Sequence, residues 1–160
     1  MAKLNDLPLK YRIFLRAYPY RRVDWSPAAV LRKPQSEARV VAITSAGYHL
    51  PDQPPFDASI RGGDTSYRVI PEHADVQALR IGNRSDAFDS TGMEADKNLA
   101  LPLDRLRELE RNREIGAVAP RHFSIMGSIT APGRLITRTA PEIASLLHDD
   151  RVDAVLLAPV

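Results

Sequence analysis

The chain has 160 residues, enough for one domain with a substantial core and too few for two independent ones. With 44% hydrophobic and 26% charged residues, no apolar run near the roughly 20 residues that span a bilayer and no signal-peptide pattern at the N-terminus, a soluble cytoplasmic protein is expected. Cysteine is absent, which excludes disulfides, thiolate metal sites and cysteine nucleophiles from these residues, and a net charge of +2 excludes neither acidic nor basic partners.

That charge is unevenly spread. Residues 1–40 hold nine Lys or Arg against three acids, a net of +6, which leaves the other 120 residues at −4. Residues 6 to 18 read as a helix with Asp6 as N-cap, Pro8 in the first turn and Leu9, Ile13, Phe14 and Ala17 along one side. Pro19 ends it, and Ser26-Pro27 opens a second short helix, Ala28 to Lys33, closed by Pro34. The basic and aromatic string YRIFLRAYPYRRVDW could follow a nucleic-acid backbone, but an amphipathic arm that packs its aromatics on the domain or a second subunit is the favoured reading. Residues 1–38 are therefore taken as a basic, aromatic-rich helical arm and residues 39–160 as the domain.

The stretch Val40 to Pro71 organises that domain. Val40-Val41-Ala42-Ile43 has the composition of a strand buried on both faces, and polar residues broken by Pro51, Pro54 and Pro55 follow at once. A buried strand that feeds a long polar loop is where open α/β sheets place ligands. Val76 to Ile81 reads as a second strand, followed by a polar loop from Asn83 to Gly92. Asp86, Asp89, Glu94 and Asp96 do not follow the alternating pattern of a calcium loop, so a solvated or substrate-facing loop is the expectation there.

Leu103, Leu106 and Leu109 recur at helical spacing with Asp104 in the first turn, and Gly116 reads as the stop signal. Gly116 to Ala119 makes a short strand that ends in a loop carrying His122. Thr139 and Glu142 form a capping box for a helix that buries Ile143, Leu146 and Leu147, with His148 in its last turn. Val152 to Ala158 is a further apolar strand. Strands alternating with helices imply a single α/β domain with a mostly parallel sheet and helices on both faces. Its final strand is too apolar for a comfortable edge and reads as lacking the helix that should follow it.

Three chemical constellations carry little. Ser45, His49 and Asp52 or Asp57 are the ingredients of a hydrolase triad, but no G-x-S-x-G elbow accompanies them. His49, His73, His122 and His148 show no metal-ligand spacing, so no metal is expected. Gly62-Gly63-Asp64-Thr65-Ser66 could form a backbone nest for a carboxylate, although a simple turn explains it as well.

The strings TSAGYHLPDQPPFD, SIRGGDTSYRVIP, DAFDSTGMEADKN, LPLDRLRELERNREIG, APRHFSIMGSITAPGRLI and DAVLLAPV occur in that order from Thr44 to Val160. Together they resemble the selenoprotein B family of the glycine, sarcosine, betaine and D-proline reductases, from about Arg39 onward. The resemblance implies reductive cleavage of the C–N bond of a small amino acid or betaine, with a dithiol as electron donor. It also implies a partner subunit whose pyruvoyl group holds the substrate amine in the glycine and proline systems; no cofactor is expected in this chain itself. The family's catalytic residue is selenocysteine, or cysteine in its place, with another cysteine three positions later. That motif follows the strand that matches DAVLLAPV, so it is expected directly after Val160, and a reading frame ended at a UGA codon would explain its absence.

On this reading the pocket is built by the loops after Ile43, Ile81, Ala119 and Ala158. His49, Asp57, Gly63, Asp64, Ser66, Asp86, Asp89 and His122 are the candidates for lining it, with acids for a cationic amine and residues 62–66 for a carboxylate. The alternatives are a short relative that binds without redox chemistry, and an interaction protein whose basic arm binds a partner subunit or, less favoured, nucleic acid. A homo-oligomer stays open.

Overall fold

The apolar run after Arg39 becomes β1, Arg39–Thr44, the middle strand of the sheet. The computed structural model describes residues 5, 8–18, 29–82 and 90–160, and the chain divides into two units, residues 1–30 and 31–160. In the second unit, β7 (Ala154–Ala158) pairs with β1 in parallel along its length, from Val40 opposite Ala154 to Thr44 opposite Ala158. On the other side of β1 lie β5 (Ala117–Val118) and β6 (Arg121–Ile125), end to end and also parallel to it. The outer strand beyond β6 is β3, Tyr67–Pro71, which runs antiparallel with Tyr67 opposite Ile125 and Pro71 opposite Arg121. A separate two-stranded pair joins β2 (Tyr48–His49) to β4 (Arg80–Ile81). The fold is α/β with a mostly parallel sheet, as expected.

Strand alternation sends β1 side chains to two cores. Val40 and Ala42 join Ile70, Leu103 and Leu106 on one face, while Val41 meets Phe123 and Ile143 on the other, with Ile43 packed against them. The first face is covered by α3, Leu103–Arg111, whose Leu103 and Leu106 are buried. The second is covered by α4, Ala140–Asp149, through Ile143, Leu146 and Leu147. A short helix α2, Thr91–Ala95, adds Met93 to the first core.

Several expectations are corrected. Ala119 does not open a loop: Val40 faces Val118 whereas Ile43 faces Phe123, so two extra residues are accommodated between β5 and β6 around Pro120. Pro120 has no N–H for the ladder. The expected strand over Val76 to Ile81 is a 3₁₀ turn at Val76–Ala78 followed by the two residues of β4, because the Asp75 side chain accepts from Gln77 N and caps a turn. β3 was not foreseen; the Gln53 amide reaches the Val69 carbonyl on its outer edge at 2.8 Å. Gly116 does not stop α3, which ends at Arg111 before Arg113 turns at φ 60. Gly116 instead permits a close backbone approach, since a Cβ there would sit 2.3 Å from the Glu37 carbonyl carbon.

The capping box is replaced as well. The helix is already turning as a π-segment, Leu135–Thr139, before α4 begins, and Thr139 makes no capping bond. In the first unit α1 spans Leu9–Ala17 after Pro8, and none of its residues is buried. Residues 29–33 are irregular rather than helical, while Asp6 and residues 19–28 lie outside the described residues. Among the described residues no helix is long and apolar enough to cross a membrane.

Candidate functional site

The parallel strands β1, β6 and β7 end at Thr44, Ile125 and Ala158, and antiparallel β3 begins at the same edge. The segments before β3 and after β6 therefore meet at the carboxyl edge of the sheet. There residues 60–67 form one wall of a cleft of about 730 Å³ and residues 131–142 the other. The walls are stitched twice. The Gly62 carbonyl accepts from Thr130 N at 2.9 Å and Ala131 N at 3.1 Å, and Thr139 Oγ1 donates to the Thr65 carbonyl at 2.6 Å.

Both glycines are needed for that contact. Gly62 and Gly63 have φ of 94 and 101, where a side chain is strained. A Cβ on Gly62 would lie 2.6 Å from Ala131 Cβ, and one on Gly63 would lie 3.0 Å from Ile129 Cα. Asp64, buried at the end of this turn, holds the loop together: Oδ1 accepts from Ser66 N and Ser66 Oγ at 2.9 and 2.6 Å, and Oδ2 from Asp57 N at 2.9 Å. Burial alone would raise its carboxyl, but these hydrogen bonds and the nearby Arg68 guanidinium outweigh that and hold it below the ordinary carboxylate range.

Of the eight candidate lining residues, the structure brings together Gly63, Asp64 and Ser66 in this cleft. Their roles differ from the expectation. The Gly63 N–H donates to the Ile60 carbonyl and the Ser66 N–H to Asp64, so neither is left for a carboxylate, and Asp64 is committed to its own loop. Asp57 is exposed at the start of that loop, where its carboxylate accepts from Ser59 N and Oγ. His49 is buried in β2 with Nδ1–H donating to the Leu50 carbonyl at 2.8 Å, away from the cleft lining. Ser45 Oγ is engaged with Val160, so Ser45 and His49 do not form the nucleophile pair of a hydrolase. Asp86 and Asp89 lie outside the described residues.

His122 is the clearest displacement. It sits inside β6, fully buried, and its Nδ1 accepts the Ala42 N–H at 3.0 Å where the ladder between β1 and its neighbour is interrupted. The imidazole is a replacement rung of the sheet. Burial, with the Arg107 guanidinium second, pushes it down to about 4, so it is neutral with its proton on Nε2. Nε2 and the Ser124 Oγ are buried with no hydrogen-bond partner among the described residues.

Residue-level reading missed the cations. Arg61, Arg134 and Arg138 line the cleft with Thr139 and Glu142, and Arg138 is paired with Glu142 at 2.9 Å. The only local signals were an arginine directly before Gly62-Gly63 and a Pro-Gly pair before Arg134. Among the described residues no group of three His, Cys, Asp or Glu side chains is arranged to hold a metal ion.

The cleft, with charged side chains in both walls, stands among the carboxyl-edge loops of a mostly parallel sheet, which is where α/β domains bind their ligands. The chain belongs to the glycine/sarcosine/betaine reductase selenoprotein B family, which it matches over residues 8–160. It is 32% identical over 133 residues to the D-proline reductase subunit gamma of Acetoanaerobium sticklandii, which covers 83% of this chain and 52% of that relative. It is 28% identical over 149 residues to the glycine reductase complex component B subunit gamma of Symbiobacterium thermophilum, 93% of this chain and 34% of the relative. A sarcosine reductase complex component B subunit beta of Peptoclostridium acidaminophilum is 28% identical over 150 residues, 90% of this chain and 33% of the relative. The chain thus spans about half to a third of the length of these relatives. No solved structure matches it.

Proposed function

We propose that this chain is the substrate-binding part of a selenoprotein-B-type reductase subunit that cleaves the C–N bond of a small amino acid or betaine. The observation that carries the reading is the family match over residues 8–160, which takes in both walls of the cleft. In the reaction one C–N bond breaks, a C–H and an N–H bond form, and a dithiol supplies the two electrons and two protons as it becomes a disulfide. The chain contains no cysteine, so the redox group comes from outside these residues. The family pattern puts it, as selenocysteine or cysteine, directly after Val160. That position would lie at the carboxyl edge of the sheet, where Ser45 Oγ accepts from Val160 N at 2.9 Å.

Two further features support a multi-subunit setting. β7 leaves Val155, Leu156 and Leu157 exposed, with Leu157 at 67%, although apolar strands of parallel sheets are ordinarily covered. Leu9, Ile13 and Phe14 of α1 are exposed too, which favours a subunit contact for the basic arm over a nucleic-acid role. As in the glycine and proline systems of the family, a partner subunit bearing a pyruvoyl group would hold a substrate amine that carries an N–H, and cytoplasmic conditions would keep the donor dithiol reduced. The in-frame nucleotides after the Val160 codon test the reading. A UGA with a cysteine codon three positions on is expected; a different stop with no open frame beyond it would favour a binding protein without redox chemistry.

A further inference from the structure

Five charged side chains line the cleft, three arginines and two acids. Asp64 has both oxygens filled by its own loop, and Glu142 is paired with Arg138. Arg61 and Arg134, on opposite walls, have no hydrogen-bond or ion-pair partner among the described residues. Arg134 also stands at the start of the helical run that continues through the π-segment into α4, where the helix dipole places partial positive charge. The walls that carry the two guanidinium groups are held at a set separation by the Thr139–Thr65 and Gly62–Thr130 bonds, so the site is formed before a ligand arrives.

We propose that Arg61 and Arg134 clamp the carboxylate of the substrate in this cleft, with Thr139 as a positioning residue that fixes the distance between the walls. This rests on the reductase reading and deepens it. Guanidinium groups match the two oxygens of a carboxylate and make the stronger, charge-assisted hydrogen bonds. With both acids already engaged, the cleft has no free carboxylate for an ammonium group, so the amine end of the ligand faces out of it. The carboxylate end is therefore what this chain recognises, and the C–N bond is presented to groups supplied by another segment or subunit.

The test is a titration of the isotope-labelled full chain with D-proline, glycine betaine, D-prolinamide and inorganic phosphate, followed through backbone amide signals. D-proline or betaine should move the signals of residues 62–66 and 131–133. D-prolinamide, which lacks the carboxylate, should not. Arg61→Gln and Arg134→Gln should each weaken binding about tenfold, the loss expected for one charge-assisted contact, whereas Arg105→Gln on α3 should leave it unchanged. Thr139→Val should weaken binding while Thr139→Ser restores it. Equal binding of acid and amide, phosphate binding as well as the amino acids, indifference to both arginine substitutions, or no shift with any ligand would each overturn the clamp. The two readings fail separately: carboxylate binding that persists in a complex that cleaves no C–N bond, by amine release from betaine or ring opening of D-proline, would sink the reductase assignment, and full turnover by the Arg61→Gln/Arg134→Gln pair would sink the clamp alone.

Discussion

His122 shows how one side chain can take over a backbone task. The extra residues between β5 and β6 leave the Ala42 N–H without a carbonyl, and the imidazole Nδ1 accepts it instead. Only the neutral ring can do this. Because the folded state holds His122 at about 4 against an ordinary 6.5, the unfolded chain binds the extra proton between those values. Its contribution is intact above the ordinary value, falls as pH drops through the interval, and levels off once the folded ring is protonated too. The expected loss is about 3 kcal/mol, visible as a lower urea midpoint near the bottom of that interval. Asp64, Asp96 and Asp153, whose carboxyls are held low by hydrogen bonds, lose their contributions as pH falls below about 5, so the histidine's own part is the fall in midpoint between 6.5 and about 5. An unchanged midpoint across the window would refute the assignment. Gly62 makes a second residue-scale prediction: Gly62→Ala meets both a positive φ and the Ala131 methyl, and should cost on the order of 1–3 kcal/mol in a thermal or denaturant melt.

At the scale of elements, what could be read from the chain was what repeats locally. β1 was visible as an apolar run, α3 as leucines three apart, and the buried face of α4 as Ile143, Leu146 and Leu147. Leu106→Ala should therefore behave as an ordinary core truncation and cost about 2–5 kcal/mol, measured by denaturant unfolding. β3 escaped because its partners in β6 lie fifty or more residues away and nothing local announces an antiparallel strand within the long polar stretch after β1. The capping box at Thr139 misled for a related reason: its hydroxyl is drawn across the cleft to the Thr65 carbonyl, a contact no local motif encodes. Thr139→Val should destabilise the fold by about 1 kcal/mol, and Thr139→Ser should retain most of that. The candidate site divides the same way. Gly63, Asp64 and Ser66 were legible as a polar turn, whereas Arg61 and Arg134 resemble any surface arginine until the fold sets them across one cleft.

At the scale of the molecule, the sheet presents two unequal ends of its strand order. On the β3 side the carboxyl edge is closed by a glycine turn, a π-segment and paired charges into a preformed cleft. On the β7 side the strand that continues the same edge has exposed apolar side chains. A cleft beside an uncovered strand accords with the proposed division of labour, in which these residues hold the carboxylate and another segment or subunit supplies the amine contact and the chemistry. The relatives that share this sequence pattern are components of larger reductase assemblies, two to three times the length matched here.

The most direct test of the central claim is dithiol-dependent C–N cleavage of glycine, sarcosine, betaine and D-proline, read as released ammonia or amine for the first three and as the ring-opened ω-amino acid for D-proline, measured for the isolated 160-residue chain and for the complex recovered with it from source cells. The isolated chain is expected to cleave none of the four, and the complex to cleave at least one. Turnover by the isolated chain, or a complex inert toward all four, would contradict the account.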